Sequence, residues 1–168
     1  MSKEIERKFI VTGNFKPFAK EHYRIIQGFL CTNPERTVRI RLEKSKAYLT
    51  VKGISKKGGL IREEVETDIH PNKAGSLLAF SVNSLIEKER YIVPSSNNLK
   101  WEVDVFEGKN TGLIIAEIEL NYEDQKFPMP KWLGPEVTGV PDFYNVKLSE
   151  NPLSKKSDNF KRKYKIIS

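Results

Sequence analysis

Residues 36–43 read Arg-Thr-Val-Arg-Ile-Arg-Leu-Glu, and apolar and charged residues alternate from residue 38 to residue 43. Val38, Ile40 and Leu42 take every second position. The positions between them are charged, as Arg39 and Arg41 show. A period of two residues is typical of a β-strand with one apolar face. The segment therefore predicts a strand whose second face is charged.

The same alternation recurs along most of the chain and predicts about eight strands. They cover residues 3–12, 24–30, 36–43, 47–53, 60–69, 84–93, 99–106 and 113–122. Short turns such as residues 56–59 join them, so neighbouring strands should be antiparallel. A short amphipathic helix is predicted at 72–81, and one helical turn at 129–133. We expect one mostly β domain of the α+β class over residues 1–168, with a basic tail at 155–168.

The charged faces carry pairs of like charges. These pairs are Glu4/Glu6, Arg39/Arg41, Glu64/Glu66, Lys88/Arg90, Glu102/Asp104 and Glu117/Glu119. Residues two apart on a strand lie about 7 Å apart on the same side, so each pair repels itself. A shared cation for the acids and a phosphate for the bases would relieve this repulsion. A solvated sheet face with cross-strand ion pairs gives the same pattern, and alternation does not decide which face lines a barrel.

Composition narrows the function classes. The chain has 168 residues and a formal charge of +7, which suggests an anionic partner. One cysteine, Cys31, cannot form an internal disulfide. The two histidines, His22 and His70, share no spacing typical of zinc ligands. Any metal must therefore be held by carboxylates. No glycine-rich phosphate loop occurs, so a glycine cradle for phosphate is not expected. Without a signal peptide or a long apolar run, we expect a cytoplasmic protein.

The first strand carries a recognisable motif. The segment Glu4-Ile5-Glu6-Arg7-Lys8 resembles the N-terminal signature of the CYTH superfamily, the triphosphate tunnel metalloenzymes. Six further likenesses follow in the family's order, at residues 39–41, 49–53, 62–66, 88–90, 102–106 and 117–120. Residues 143–148 extend the resemblance, although Phe143 stands where bacterial members tend to have arginine before Tyr-Asn.

The resemblance implies a closed eight-stranded antiparallel barrel with its charged faces inward. It implies a Mg²⁺ or Mn²⁺ ion held by the carboxylates of Glu4, Glu6, Asp104, Glu117 and Glu119. It implies a triphosphate held by the cations of Arg39, Arg41, Lys52, Lys88 and Arg90. Lys8 and Lys52 are implied to act in the chemical step.

The leading hypothesis is a metal-dependent triphosphatase, with inorganic tripolyphosphate first and nucleoside or thiamine triphosphate next. A class IV adenylate cyclase and a non-enzymatic polyphosphate-binding module remain alternatives. The expected partner is a small triphosphate rather than a membrane or nucleic acid, and the oligomeric state stays open.

Overall fold

The computed structural model describes residues 2–166, which form nine strands and three α-helices. The strands are β1 Ser2–Val11, β2 Glu21–Cys31, β3 Thr37–Glu43, β4 Lys46–Lys56, β5 Ile61–Ile69, β6 Ile86–Pro94, β7 Lys100–Phe106, β8 Ile114–Glu119 and β9 Leu133–Glu136. The helices are α1 Pro71–Leu78, α2 Asn145–Glu150 and α3 Asp158–Lys163. None of these helices is long and apolar enough to cross a membrane.

Strand β1 closes the barrel. Its residues Glu6–Ile10 pair with β8, and on its other edge Ser2–Ile5 pair with β5. The remaining strands follow in the order β5-β4-β3-β2-β6-β7-β8, and every neighbouring pair is antiparallel. The result is the closed eight-stranded antiparallel barrel that the resemblance implied. Eight strands leave an interior wide enough for side chains or one small ligand.

The interior has a charged part and an apolar end. Inward positions are charged along most of the barrel, but at one end they hold Phe29, Ile86, Phe106 and Ile115. These side chains form one buried core with residues of the C-terminal segment 140–166, which includes α2 and α3. Residues 155–166, predicted as a basic tail, thus help to cover this end of the barrel.

Two groups of side chains pack against the apolar outer face of the barrel and bury much of it. Helix α1 packs Ala74 against Ile40 of β3 and against Ala47 at the start of β4. On the other side, Trp132 meets Trp101 of β7 edge to face, with 5.6 Å between ring centroids. Burial of these outer faces adds to the apolar core at the closed end, and the two together drive folding.

Most predicted elements are confirmed, with shifted ends. Helix α1 stops at Leu78 rather than Ser81, which leaves the Phe80 side chain exposed. The predicted helical turn at 129–133 is wrong, because strand β9 begins there at Leu133. Pairing of β1 with β5 ends at Ile5, so the same edge of β1 is free further on and β9 pairs there with Phe9 and Val11.

Candidate active site

The charged part of the barrel encloses a cavity of about 790 Å³. Each of the eight barrel strands contributes at least one side chain to its wall, because alternate residues of every strand face inward. Among the described residues, eight carboxylates and eight lysine or arginine side chains line it. The cavity is therefore close to electrically neutral before any ligand enters.

Lys8 lies between two carboxylates of the wall. Its Nζ is 2.7 Å from Oε1 of Glu117 on β8 and 3.7 Å from Oε1 of Glu6 on its own strand. Burial opposes the charge of Lys8, but Glu117 and Glu6 outweigh it and hold the pKa of Lys8 above its usual value. Burial likewise opposes the charge of Glu117, yet Lys8, Lys88 and Arg90 keep its pKa low. Both groups are charged at neutral pH.

Glu6 is the least compensated carboxylate of this group. Burial, followed by repulsion from Glu117, raises the pKa of Glu6 to about 7, against the weaker pull of Lys8. At the cavity mouth, burial and the nearby Glu4, Glu102 and Glu64 also raise the pKa of Glu119. This acidic side of the cavity would gain stability from an added positive charge.

Lys52 joins the acidic side to the basic side. Its Nζ donates to Glu4 Oε2 at 2.6 Å and lies 3.0 Å from Glu64 Oε2. Lys52 and Glu64 are cross-strand partners, and Glu4 reaches them because β5 also pairs with β1. The ammonium is held by two carboxylates, so an incoming anion must compete with both.

The arginines of β3 form the basic side. Arg39 donates to Thr50 Oγ1 at 3.2 Å and lies 3.5 Å from Glu66, while Arg41 lies 3.3 Å from Glu66. These contacts are long compared with a strong charge-assisted hydrogen bond. In addition, the Nε atoms of Arg39 and Arg41 are buried and have no hydrogen-bond partner in the protein. Both guanidinium groups keep donors for an anion.

Lys88, Arg90 and Asp104 form a buried ion cluster beside the cavity. Arg90 donates to both oxygens of Asp104, from Nε and from Nη2, each at 2.7 Å, and Lys88 donates to Asp104 Oδ2. Burial opposes the charge of Asp104, but Arg90 and Lys88 hold its pKa below the usual value. Glu102 accepts from Arg90 on the side nearer solvent. This cluster fixes the direction in which Lys88 and Arg90 face the cavity.

Residues 2–144 match the family model described as the CYTH domain. The chain belongs to the CYTH family. An inorganic triphosphatase of Acetivibrio thermocellus is 44% identical over 155 residues, which make up 90% of this chain and 96% of that protein. An inorganic triphosphatase of Nitrosomonas europaea is 33% identical over 150 residues, 87% of this chain and 96% of that protein.

Solved structures agree with the CYTH assignment. A crystal structure of an inorganic triphosphatase aligns with a TM-score of 0.63 at 29% sequence identity. The alignment covers 89% of this chain and 95% of that one. The closed barrel and its helices are therefore the CYTH tunnel fold.

Ten of the eleven site residues predicted from the CYTH resemblance line the cavity, and Asp104 does not. The ten are Glu4, Glu6, Lys8, Arg39, Arg41, Lys52, Lys88, Arg90, Glu117 and Glu119. Asp104 is 1% exposed and is enclosed by Lys88 and Arg90. Four further side chains line the cavity, and none of them was predicted as a site residue: Tyr23, Gln27, Arg62 and Tyr144. Arg62 and Tyr144 each lie in a matched motif, whereas nothing in the sequence marked Tyr23 or Gln27.

The donor set fits a hard divalent cation. Triphosphatases of the CYTH family generally depend on a metal ion. Carboxylates from β1 and β8 line the acidic side, where burial and then repulsion from Glu117 raise the pKa of Glu6. Over residues 2–166 no three metal-ligating side chains already converge.

Proposed function

We propose that this CYTH-family protein is a metal-dependent triphosphatase that hydrolyses inorganic triphosphate to pyrophosphate and phosphate. The observation that carries the proposal is the enclosed cavity, in which arginines and lysines face carboxylates across a short distance. Both curated relatives bear the name inorganic triphosphatase and align over nearly their whole length.

Charge balance supports a polyanion bound together with a cation. Because the cavity wall is close to neutral, a triphosphate alone would place several uncompensated negative charges in it. The five cations Arg39, Arg41, Lys52, Lys88 and Arg90 hold and orient the phosphate chain. The fork of each arginine suits two phosphate oxygens at once.

Glu4, Glu6, Glu117 and Glu119 are the metal ligands that we propose, and Mg²⁺ or Mn²⁺ suits their oxygen atoms. When bound, such an ion supplies charge neutralisation at phosphate oxygens and lowers the pKa of a coordinated water. Asp104, the fifth carboxylate implied by the resemblance, instead orients Lys88 and Arg90 in this conformation.

Lys8 and Lys52 serve the chemical step in this proposal. Each ammonium now neutralises carboxylates of the acidic side, at 2.7 Å from Glu117 and 2.6 Å from Glu4. If those carboxylates held a cation, the ammonium groups would be free to contact the phosphate oxygens. They would then stabilise the negative charge that spreads over the transferred phosphoryl group.

Phosphate release from tripolyphosphate, measured with Mg²⁺ or Mn²⁺ and with chelator, tests the proposal. We expect metal-dependent release and a loss of at least about 100-fold in kcat/KM for Lys52→Met. Lys56→Met is the matched control, because Lys56 lies on the same strand but is exposed and contacts Glu63. A folded protein that releases no phosphate from tripolyphosphate would refute the proposal, and cyclic AMP formed from ATP would indicate a cyclase.

The cytoplasmic location and the choice between Mg²⁺ and Mn²⁺ stay predictions. A metal series in the same phosphate-release assay addresses the second, because the carboxylate ligands accept either ion.

A further inference from the structure

One neutral side chain of the cavity has no hydrogen-bond partner for its donor. Gln27 of β2 is only 1% exposed and lines the cavity, and its Nε2 is buried without a partner in the protein. A buried amide left in this state costs about 1–3 kcal/mol, so native proteins seldom keep one without a use.

The neighbours of Gln27 offer donors rather than acceptors. Arg41 is its direct cross-strand partner on β3, and Arg39 lies two residues further along the same inward face. Neither Nε atom forms a hydrogen bond within the protein, although Arg41 Nε lies 3.4 Å from Glu43 Oε2. Three unsatisfied N–H groups thus lie on adjoining strands of one wall. A ligand rich in acceptors and without donors, such as a phosphate group, suits such a wall.

Gln27 also marks the end of the charged part of the cavity. On the β6 side it pairs with Ile86, and two residues along β2 lies Phe29. Ile86 and Phe29 both belong to the apolar core that closes this end of the barrel. A polyanion that moves along this wall toward the closed end therefore meets Gln27 before it meets Ile86 of the apolar core.

We propose that Gln27 donates from Nε2 to an oxygen of the phosphate group that enters deepest into the cavity. The inference rests on the proposed triphosphatase function and adds a substrate-binding residue to it. The terminal torsion of a glutamine is broad, so a rotation about it turns the amide N–H toward the ligand. Gln27 then defines the depth at which the phosphate chain stops, because the apolar end beyond it cannot solvate a charged group.

Two substitutions at this position separate a binding role from a structural one. Gln27→Met keeps the length of the side chain and removes its donor, and Gln27→Glu replaces the donor with an acceptor near Arg39 and Arg41. Ser81→Ala is the control, because Ser81 Oγ is also buried without a partner but lies outside the cavity. The readouts are the thermal unfolding midpoint in chelator and KM and kcat for tripolyphosphate with Mn²⁺.

The expected result has opposite signs in the two readouts. Gln27→Met should unfold at the same or a higher temperature than the wild type, because it removes an unsatisfied buried donor. Its KM should rise about tenfold, as expected for the loss of one hydrogen bond to a charged group. Gln27→Glu should raise the unfolding midpoint further and raise KM more, since its carboxylate pairs with the arginines and repels phosphate. Ser81→Ala should keep the wild-type KM.

Each other outcome overturns the inference. A wild-type KM in Gln27→Met and Gln27→Glu shows that the amide does not touch the substrate. A lower unfolding midpoint with unchanged KM shows a purely structural role. An inactive wild-type protein, by contrast, defeats the proposed function itself and is recognised before any variant is measured.

Discussion

The buried ion cluster of Lys88, Arg90 and Asp104 allows a change in stability to be predicted in kcal/mol. In Asp104→Asn, Lys88 and Arg90 lose their shared carboxylate while their side chains stay 1% and 7% exposed. Removing one partner of a buried ion pair costs about 3–5 kcal/mol, because the remaining charge stays desolvated. For a chain of this size, each kcal/mol lowers the unfolding midpoint by about 2–4 °C, so the midpoint should fall by roughly 6–20 °C.

The measurement is thermal or urea unfolding in chelator, at neutral pH. Glu102→Gln is the matched control. Glu102 also contacts Arg90, but its side chain is 26% exposed, so its loss should cost less than about 1 kcal/mol. Adding Lys88→Met to Asp104→Asn should recover part of the lost stability, since it removes one of the two stranded cations.

The reasoning fails if Asp104→Asn unfolds within about 2 °C of the wild type in chelator. A variant of unchanged metal-free stability that needs far more metal for activity would instead assign Asp104 to the metal, as the family resemblance implied. Chelator is essential here, because a bound cation would stabilise the wild type and obscure the comparison.

Three further predictions concern the acidic side and the closed end. Glu6 has a pKa of about 7 when folded and an ordinary carboxyl value when unfolded, so between these values the folded state binds more protons and stability falls as pH rises. In chelator at pH 8, Glu6→Gln should therefore be more stable than the wild type by on the order of 1–3 kcal/mol. This difference in unfolding free energy should shrink toward pH 4, and a difference independent of pH would contradict the prediction. Lys8→Met should lower kcat by about 100-fold or more, and near-wild-type turnover would exclude a chemical role for Lys8. Phe143→Ala should lower the free energy of unfolding in urea by about 3–5 kcal/mol, because the Phe143 ring is buried. Phe80→Ala is the control, because the Phe80 ring is exposed, and it should leave stability unchanged. Equal effects of the two substitutions would refute the closing role of the C-terminal segment.

The strands were predictable because period-two alternation depends only on local sequence. The likeness to the CYTH family then indicated that Arg39 and Arg41 face inward, which the alternation alone did not decide. The pairing of Arg90 with Asp104 could not be read in this way, since it depends on the register between β6 and β7. Asp104 therefore looked like one more carboxylate of the acidic side.

The apolar closed end of the barrel could not be predicted from the sequence for a related reason. Ile86 and Phe106 occupy inward positions, in phase with the charged residues of their strands, but nothing local distinguishes them from outward apolar residues. Strand β9 was missed because it contains Gly134 and Pro135, which disfavour strands; an edge position tolerates proline, since it needs no donor there. In both cases tertiary contacts decided the outcome.

Strand β1 contacts β5, β8 and β9, which come from widely separated parts of the chain. Strand β1 precedes the other strands of the barrel, and its β8 neighbour follows more than a hundred residues later, so we expect ring closure to be a late event in folding. Glu6 and Lys8 meet their β8 neighbours only when the ring closes. A chain that ended before residue 114 would lack β8 and leave an edge of β1 unpaired, and such an exposed edge favours aggregation.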